Sequence, residues 1–192
     1  MTNTTRERLL DAGLRLLLKR GYNDLGIQTL LAATGIPKGS FYHYFKSKED
    51  FALQVIDLYM SEVHRGLDAS LGDETLPPLE RVRKFFEIST EKYRKDGYLG
   101  CMLGGLGQEL SGVNEVFRDK IEQCFSEIAR RHAGCLEAAR QQGTLPPDTD
   151  PHVMANLLLN CWEGAALRSR LRRDPAPLEQ MLDFYFSAAT AA

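Results

Sequence analysis

No apolar run in this 192-residue chain approaches the about 18 residues that a helix needs to cross a bilayer. The opening MTNTTRERLLDAG lacks the apolar stretch of a secretory leader, so a cytoplasmic protein is expected. Cysteine is scarce. Cys101, Cys124, Cys135 and Cys161 show neither CxxC nor Cys/His metal spacing, which leaves free thiols and no metal as the expectation. The four histidines, His43, His64, His132 and His152, are too dispersed to argue for a metal site. No strand-like alternation, internal repeat or low-complexity tract is visible. No GxGxxG follows a strand, and no cofactor is expected. Charge of one sign is also missing, since the formal net charge is −2, which argues against a nucleic-acid binder that uses its whole surface. The charge is uneven, however. Residues 1–50 carry eight Lys/Arg against five Asp/Glu, and the remainder sixteen against twenty-one.

What is present is helical periodicity from end to end. Leu9, Ala12, Gly13, Leu16 and Leu17 form one apolar stripe, closed by Gly21 with Lys19 and Arg20 in the last turn. A short helix over 27–34 follows, with Gly26 as cap and Gly35 as left-handed stop. A second, over 38–44, carries Phe41 with Phe45 four residues on. Ser47 opens a longer helix with Asp50 at the capping-box position, running to about Leu71. Further helices are expected at 79–95, 102–110, 113–142, 151–173 and 178–189, with Pro151 as a start and DPAP at 174–177 as a stop. The fold class is all-α, with about nine helices and a division near residues 46–50.

Helix, tight glycine turn, short helix is the helix-turn-helix plan. In KGSFYHYFKSKEDF, residues 38–51, the spacing turns Phe41 and Phe45 inward and leaves Lys38, Ser40, Tyr42, His43 and Tyr44 outside. Lysine, hydroxyl and phenol groups on a short exposed helix suit phosphate and base-edge contacts. Periodicity alone leaves this reading level with a plain amphipathic helix bearing surface tyrosines.

The linear pattern separates the two. From Leu9 to Phe51, LLDAGLRLLLKRGYNDLGIQTLLAATGIPKGSFYHYFKSKEDF resembles the DNA-binding domain of the TetR family of bacterial transcriptional regulators. The match lies in RGY at 20–22, AATGIPKGSFYHYF, and the SKEDF that opens the next helix. The resemblance implies a helix-turn-helix domain over 1–47 and a dimerisation and effector-binding domain over 48–192. It implies phosphate contacts from Tyr42 and Lys48. Lys38, Gly39, Ser40, His43 and Tyr44 would then lie on the recognition helix, and Gln28 and Thr29 on the supporting one. The partners implied are a near-palindromic double-stranded DNA operator, a second copy of the chain and a small-molecule effector. Two departures stand out: Leu25-Gly26 where members commonly carry a hydroxyl residue, and Leu31 where alanine is frequent.

In the body, Val153, Met154, Leu157, Leu158, Cys161, Trp162 and Ala165 make one apolar band, and Met181, Leu182, Phe184 and Tyr185 another. Two such helices could form a four-helix interface with a second copy or simply close the monomer core. YLGCMLGGLGQELSG, residues 98–112, sets Gly100, Gly104, Gly105 and Gly107 around Cys101. That cysteine stands where a helix begins, which favours the thiolate. With NCWEGAALRSR at 160–170, this stretch is similar to the TetR-type repressors that sense electrophiles or acrylate-like compounds. The likeness implies an effector site of Tyr98, Cys101, Met102, Trp162 and Arg168. A lysine that works with the sensing cysteine in one such regulator has no counterpart, since no lysine follows Lys120. Arg168, Arg170, Arg172 and Arg173 stand in that neighbourhood. Either the chemistry differs or a small carboxylate is held without a covalent bond, and a merely packed Cys101 remains the alternative. The leading expectation is a dimeric repressor. A thiol enzyme using Cys101 with a histidine base is the competing one.

Overall fold

The computed structural model describes residues 4–190, and among them nine α-helices and no strand. They are α1 (Thr5–Arg20), α2 (Ile27–Thr34), α3 (Lys38–Tyr44), α4 (Lys48–Leu71), α5 (Pro78–Lys95), α6 (Met102–Leu110), α7 (Glu115–Gln141), α8 (Pro151–Arg172) and α9 (Ala176–Thr190).

Local chemistry sets most of the ends. Thr4 and Glu7 form a reciprocal capping box on α1, and Gly21 at φ 77° ends that helix. Gly35, at φ 66° and ψ 18°, closes α2 in the left-handed conformation, which costs glycine nothing. Ser47 Oγ accepts the Asp50 amide at 3.0 Å. The Asp50 carboxylate reaches back to the Lys46 amide at 2.8 Å, one residue beyond the cap amide that a strict capping box would use. Several boundaries differ by one or two residues from the periodicity reading, and at two of them a short polar side chain decides. Asn114 caps α7 by accepting the Phe117 amide, so the helix starts at Glu115 and not at Val113. Asp174 accepts the Ala176 amide, so DPAP both stops α8 and starts α9.

The chain divides into two compact units that are not linear halves. One takes the residues up to Val63 together with Met102–Ile121; the other takes His64–Cys101 and Glu122 onward. The boundaries fall inside α4, inside α7 and between Cys101 and Met102. In the first unit α1 packs against α2, α3 and α6 around Leu9, Leu17, Leu30, Phe41, Phe45 and Phe51, none more than 3 % exposed. The rings of Phe41, Phe45 and Phe51 meet pairwise at 4.9–5.3 Å, which locks α3 to the start of α4. In the second unit α9 packs on α8 and α5, over a core that includes Val82, Phe86, Leu136, Leu158, Trp162 and Leu182. Among the described residues no helix is long and apolar enough to cross a membrane.

Candidate functional site

In the first unit, α3 carries its polar groups outward as the spacing requires. Lys38, Gly39, Tyr42, His43 and Tyr44 are exposed and Ser40 half-buried, while Phe41 is fully buried between them. Tyr42 is 49 % exposed although its ring rests edge-on against Phe41 at 5.2 Å. Its phenol is thus held on a fixed base. Gln28 and Thr29 are exposed on the first turn of α2. Lys48 sits apart from α3, at the first position of α4. Its Nζ lies 4.4 Å from the centre of the Tyr22 ring, a cation–π arrangement. Partial burial lowers its pKa, and Glu109 and Asp24 act in the opposite direction.

The Tyr22 platform is itself held. Glu109, at the end of α6, accepts the backbone amides of Tyr22 at 2.8 Å and Asn23 at 2.6 Å, and Phe117 meets the Tyr22 ring at 5.0 Å. At Gly21 a Cβ would run into Glu109 Oε2. The glycine of the RGY turn is therefore required twice, by its positive φ and by the carboxylate against it.

In the second unit the segment before Cys101 is strained. Gly97, Tyr98 and Gly100 have φ of 72°, 59° and 79°, and for a tyrosine the left-handed region is unfavourable. The Tyr98 amide donates to Tyr93 O at 2.6 Å, and Arg173 Nη1 donates to Gly97 O at 2.6 Å. A Cβ at Gly100 would lie 3.8 Å from Ala166 O and 3.9 Å from Arg170 Cδ. Arg170 and Arg173 are therefore the arginines at this loop. Arg168 is exposed, between Leu167 and Leu171. Cys101 immediately precedes α6 and is half-buried. Trp162 is buried, in ring contact with Phe86 at 4.9 Å and Tyr93 at 5.7 Å. Met102 is buried and belongs to the first unit.

Two further groups stand out in this unit. Glu163, next to Trp162, is half-buried; burial pushes its carboxyl up to about 7, and the Cys101 thiol acts in the opposite direction. His132 is fully buried with both ring nitrogens unpartnered. It stacks on Phe86 at 4.9 Å, and burial lowers its pKa to about 3. Of the other cysteines, Cys124 is buried, Cys161 is half-buried like Cys101, and Cys135 donates to Pro78 O at 3.2 Å with its pKa raised by burial. No group of three metal-ligating side chains occurs among the described residues.

On α8 the apolar band splits. Leu158, Trp162 and Ala165 face the core, while Val153, Leu157, Leu167 and Leu171 are 43–71 % exposed, and Phe184 of α9 is 77 % exposed.

Residues 9–55 match the model of bacterial regulatory proteins of the tetR family, and residues 78–185 match the tetracyclin repressor-like C-terminal domain. The chain belongs to the TetR family. It is 38 % identical to the transcriptional regulator AcuR of Cereibacter sphaeroides, over 90 % of this chain and 79 % of that protein. It is 30 % identical to the transcriptional repressor NemR of Escherichia coli, over 93 % of this chain and 90 % of NemR. The crystal structure of reduced NemR superposes with a TM-score of 0.86 at 28 % identity, covering 98 % of each chain. The regulatory protein TetR of Rhodobacter sphaeroides gives 0.92 at 35 % identity, over 96 % of this chain and 98 % of that one. As a TetR-family member the chain is a DNA-binding transcriptional repressor and not an enzyme, which sets aside the thiol-enzyme reading of Cys101.

Within this TetR-type frame, two residues that sequence reasoning passed over are Glu109 and Glu163. Each is an isolated acid on an otherwise apolar helix stretch, GGLGQEL and NCWEGAAL. That mismatch with the surrounding pattern was the available signal.

Proposed function

We propose that two copies of this chain pair through the exposed stripe of α8 and α9 and hold two α3 helices about one helical turn of DNA, ~34–36 Å, apart. The observation that carries the pairing is Val153, Leu157, Leu167, Leu171 and Phe184 on the outside of two neighbouring helices, where a monomer gains nothing from them. Tyr42 and Lys48 contact phosphate. Lys38, Gly39, Ser40, His43 and Tyr44 face the operator's major groove, with Gln28 and Thr29 supporting, and the repressor acts in the cytoplasm on a near-palindromic duplex.

The effector acts at the strained loop that ends in Cys101, with Tyr98, Trp162, Arg170 and Arg173 as the groups around it. Its class is a reactive electrophile or an acrylate-like carboxylate. Support comes from the strained backbone at Tyr98 and from the half-buried thiol beside it. That a structure of NemR is described as a reduced form bears on thiol chemistry in that relative. Adduct formation at Cys101 puts added bulk at the chain's passage from one compact unit to the other, and the spacing of the two α3 helices is lost.

The test is DNA release by N-ethylmaleimide or acrolein from wild type and Cys101→Ser, with mass spectrometry locating the adduct. Release from wild type alone supports the covalent reading. Equal release from both removes Cys101. If acrylate releases both and the electrophiles neither, the carboxylate is held by arginine. Light scattering that gives a monomer at micromolar concentration would overturn the pairing.

A further inference from the structure

Among the described residues, the buried side-chain polar atoms without a hydrogen bond are Ser70 Oγ, both ring nitrogens of His132, and His64 Nε2. The last lies 3.2 Å from Glu127 Oε1, so an ion pair accounts for it. Ser70 and His132 have no such account, and both belong to the second unit. Ser70 is 1 % exposed and His132 0 %. Native interiors leave few buried polar groups unpaired, because each forfeits its hydration for nothing. Nor does its own helix force the serine into this state. Ser61, Ser89 and Thr90 each donate their hydroxyl to the carbonyl four residues back, at 2.9–3.0 Å. Ser70 has the same choice at Gly66 and does not take it.

The contacts around Phe85 draw the two orphans together. His132, on α7, meets the Phe85 ring at 5.1 Å and stacks on Phe86 at 4.9 Å. A Cβ at Gly66 would lie 3.5 Å from Phe85 Cε2, so this face of α4 covers the same ring. Ser70 stands four residues further along that face. The adjoining turns are tied as well, since Arg131 donates to Asp68 at 2.5 Å. Phe86 is fully buried and Phe85 half-buried, which leaves the edge of Phe85 as the approach from solvent.

We infer that Ser70 and His132 are the polar anchor of a binding site for a small uncharged carbonyl compound, an amide or a ketone, whose apolar part lies against Phe85 and Phe86. The inference does not rest on the reading of Cys101. A neutral imidazole offers one donor and one acceptor, and a hydroxyl donates once. A carbonyl oxygen has two lone pairs and accepts from both groups. The remaining imidazole nitrogen is left to accept from the N–H of an amide or from a water that enters with the ligand. An anion does not fit. Arg131, the cation that acts on His132, is engaged by Asp68. Burial keeps the imidazole itself neutral, with its pKa lowered to about 3. A carboxylate here would be buried with no charge to pair with.

The experiment titrates the full chain with propionamide and with propionate through the millimolar range. The two probes match in size and differ in charge, and neither has an alkene for a thiol to attack. Binding is read as a saturable change in the emission of Trp162, the sole tryptophan, whose ring meets Phe86 at 4.9 Å. A rise in melting temperature is the second readout. Propionamide should bind wild type, and propionate should bind about tenfold more weakly or less. His132→Phe and Ser70→Ala should each weaken propionamide about tenfold, the loss of one hydrogen bond to a buried group. Without ligand, both variants should melt no lower than wild type, because each removes a buried group that had no partner. A merely structural histidine or serine predicts the reverse, lower melting with ligand binding unchanged. The inference is overturned if wild type gives no saturable response to propionamide, if propionate binds as well, or if both variants bind as wild type does. The response should survive Cys101→Ser. Its loss there would place the ligand at the loop and overturn the site, whereas the reading of Cys101 stands or falls on adduct formation alone.

Discussion

The two compact units treat polar side chains in opposite ways. In the first, the groups assigned to DNA are exposed or half-buried and mounted on a rigid aromatic base: Tyr42 on Phe41, and Lys48 over Tyr22. In the second, the groups with chemistry to offer are half-buried or buried: Cys101 and Glu163 half-buried, and His132 fully buried with no partner. Phosphate is a large, fixed, strongly hydrated anion, and cations and hydroxyls meet it best from the surface. A small reactive molecule is told apart from water only where water is scarce and protonation is under local control. One chain therefore carries one unit with ordinary surface electrostatics and another in which burial raises an acid and lowers a base.

The comparison can be broken most severely at the base of the reading head. Phe41→Ala removes a fully buried ring that touches Phe45 and Phe51 and should cost about 3–5 kcal/mol. Thermal unfolding should fall and DNA binding should be lost. If binding survives at full strength, α3 does not depend on this ring cluster.

The second test falls on the other unit. The folded pKa of His132 lies below its ordinary 6.5, at about 3. The stability it contributes is therefore whole above pH 6.5 and is lost as the pH falls toward 3. Between pH 7 and pH 4 the wild type should lose about 2–3 kcal/mol through this group, and His132→Phe should lose less. Denaturant melts of both proteins at the two pH values provide the check. Identical losses would mean that the imidazole escapes its burial by finding a partner.

Glu109→Ala sharpens the division within the first unit. It removes the acceptor of two backbone amides in the turn that carries Tyr22, but no cation. DNA affinity should drop about tenfold, or about 1.4 kcal/mol, with the salt dependence unchanged. A changed slope would mean that the carboxylate acts through the field at Lys48 and not through the turn.

Lys48→Ala should have the smallest effect on affinity and a distinctive one on salt. Specific and random DNA should weaken alike, and the log–log salt slope should flatten by about one unit. Substitutions at Ser40 or His43 should instead reorder operator variants while leaving random-DNA affinity alone. If the ranking of operators is kept, Gln28 or Thr29 is the place to look for base readout.

Most of the architecture was decided by the sequence alone. All nine helices, the bounds of α2, α3 and α6, the glycine stops and the inward turn of Phe41 and Phe45 follow from periodicity and capping. These are interactions between residues three or four apart, and local spacing records them. The outward set on α3 was legible for the same reason. Only the tertiary structure decided which side of α8 faces out, because apolar and polar residues are spread around that helix's whole circumference and its periodicity has no direction. It decided that Arg170 and Arg173, and not Arg168, meet the loop before Cys101, since residues two apart point to different sides of a helix. It also decided that α6 lends Glu109 to a turn 87 residues earlier, and that Glu163, 62 positions along from 101 in the sequence, comes within the electrostatic reach of Cys101. A carboxylate's partner over such separations depends on how the chain closes long loops. No local propensity encodes that, and burial, which sets the pKa of Glu163 and His132, exists only after the helices have packed.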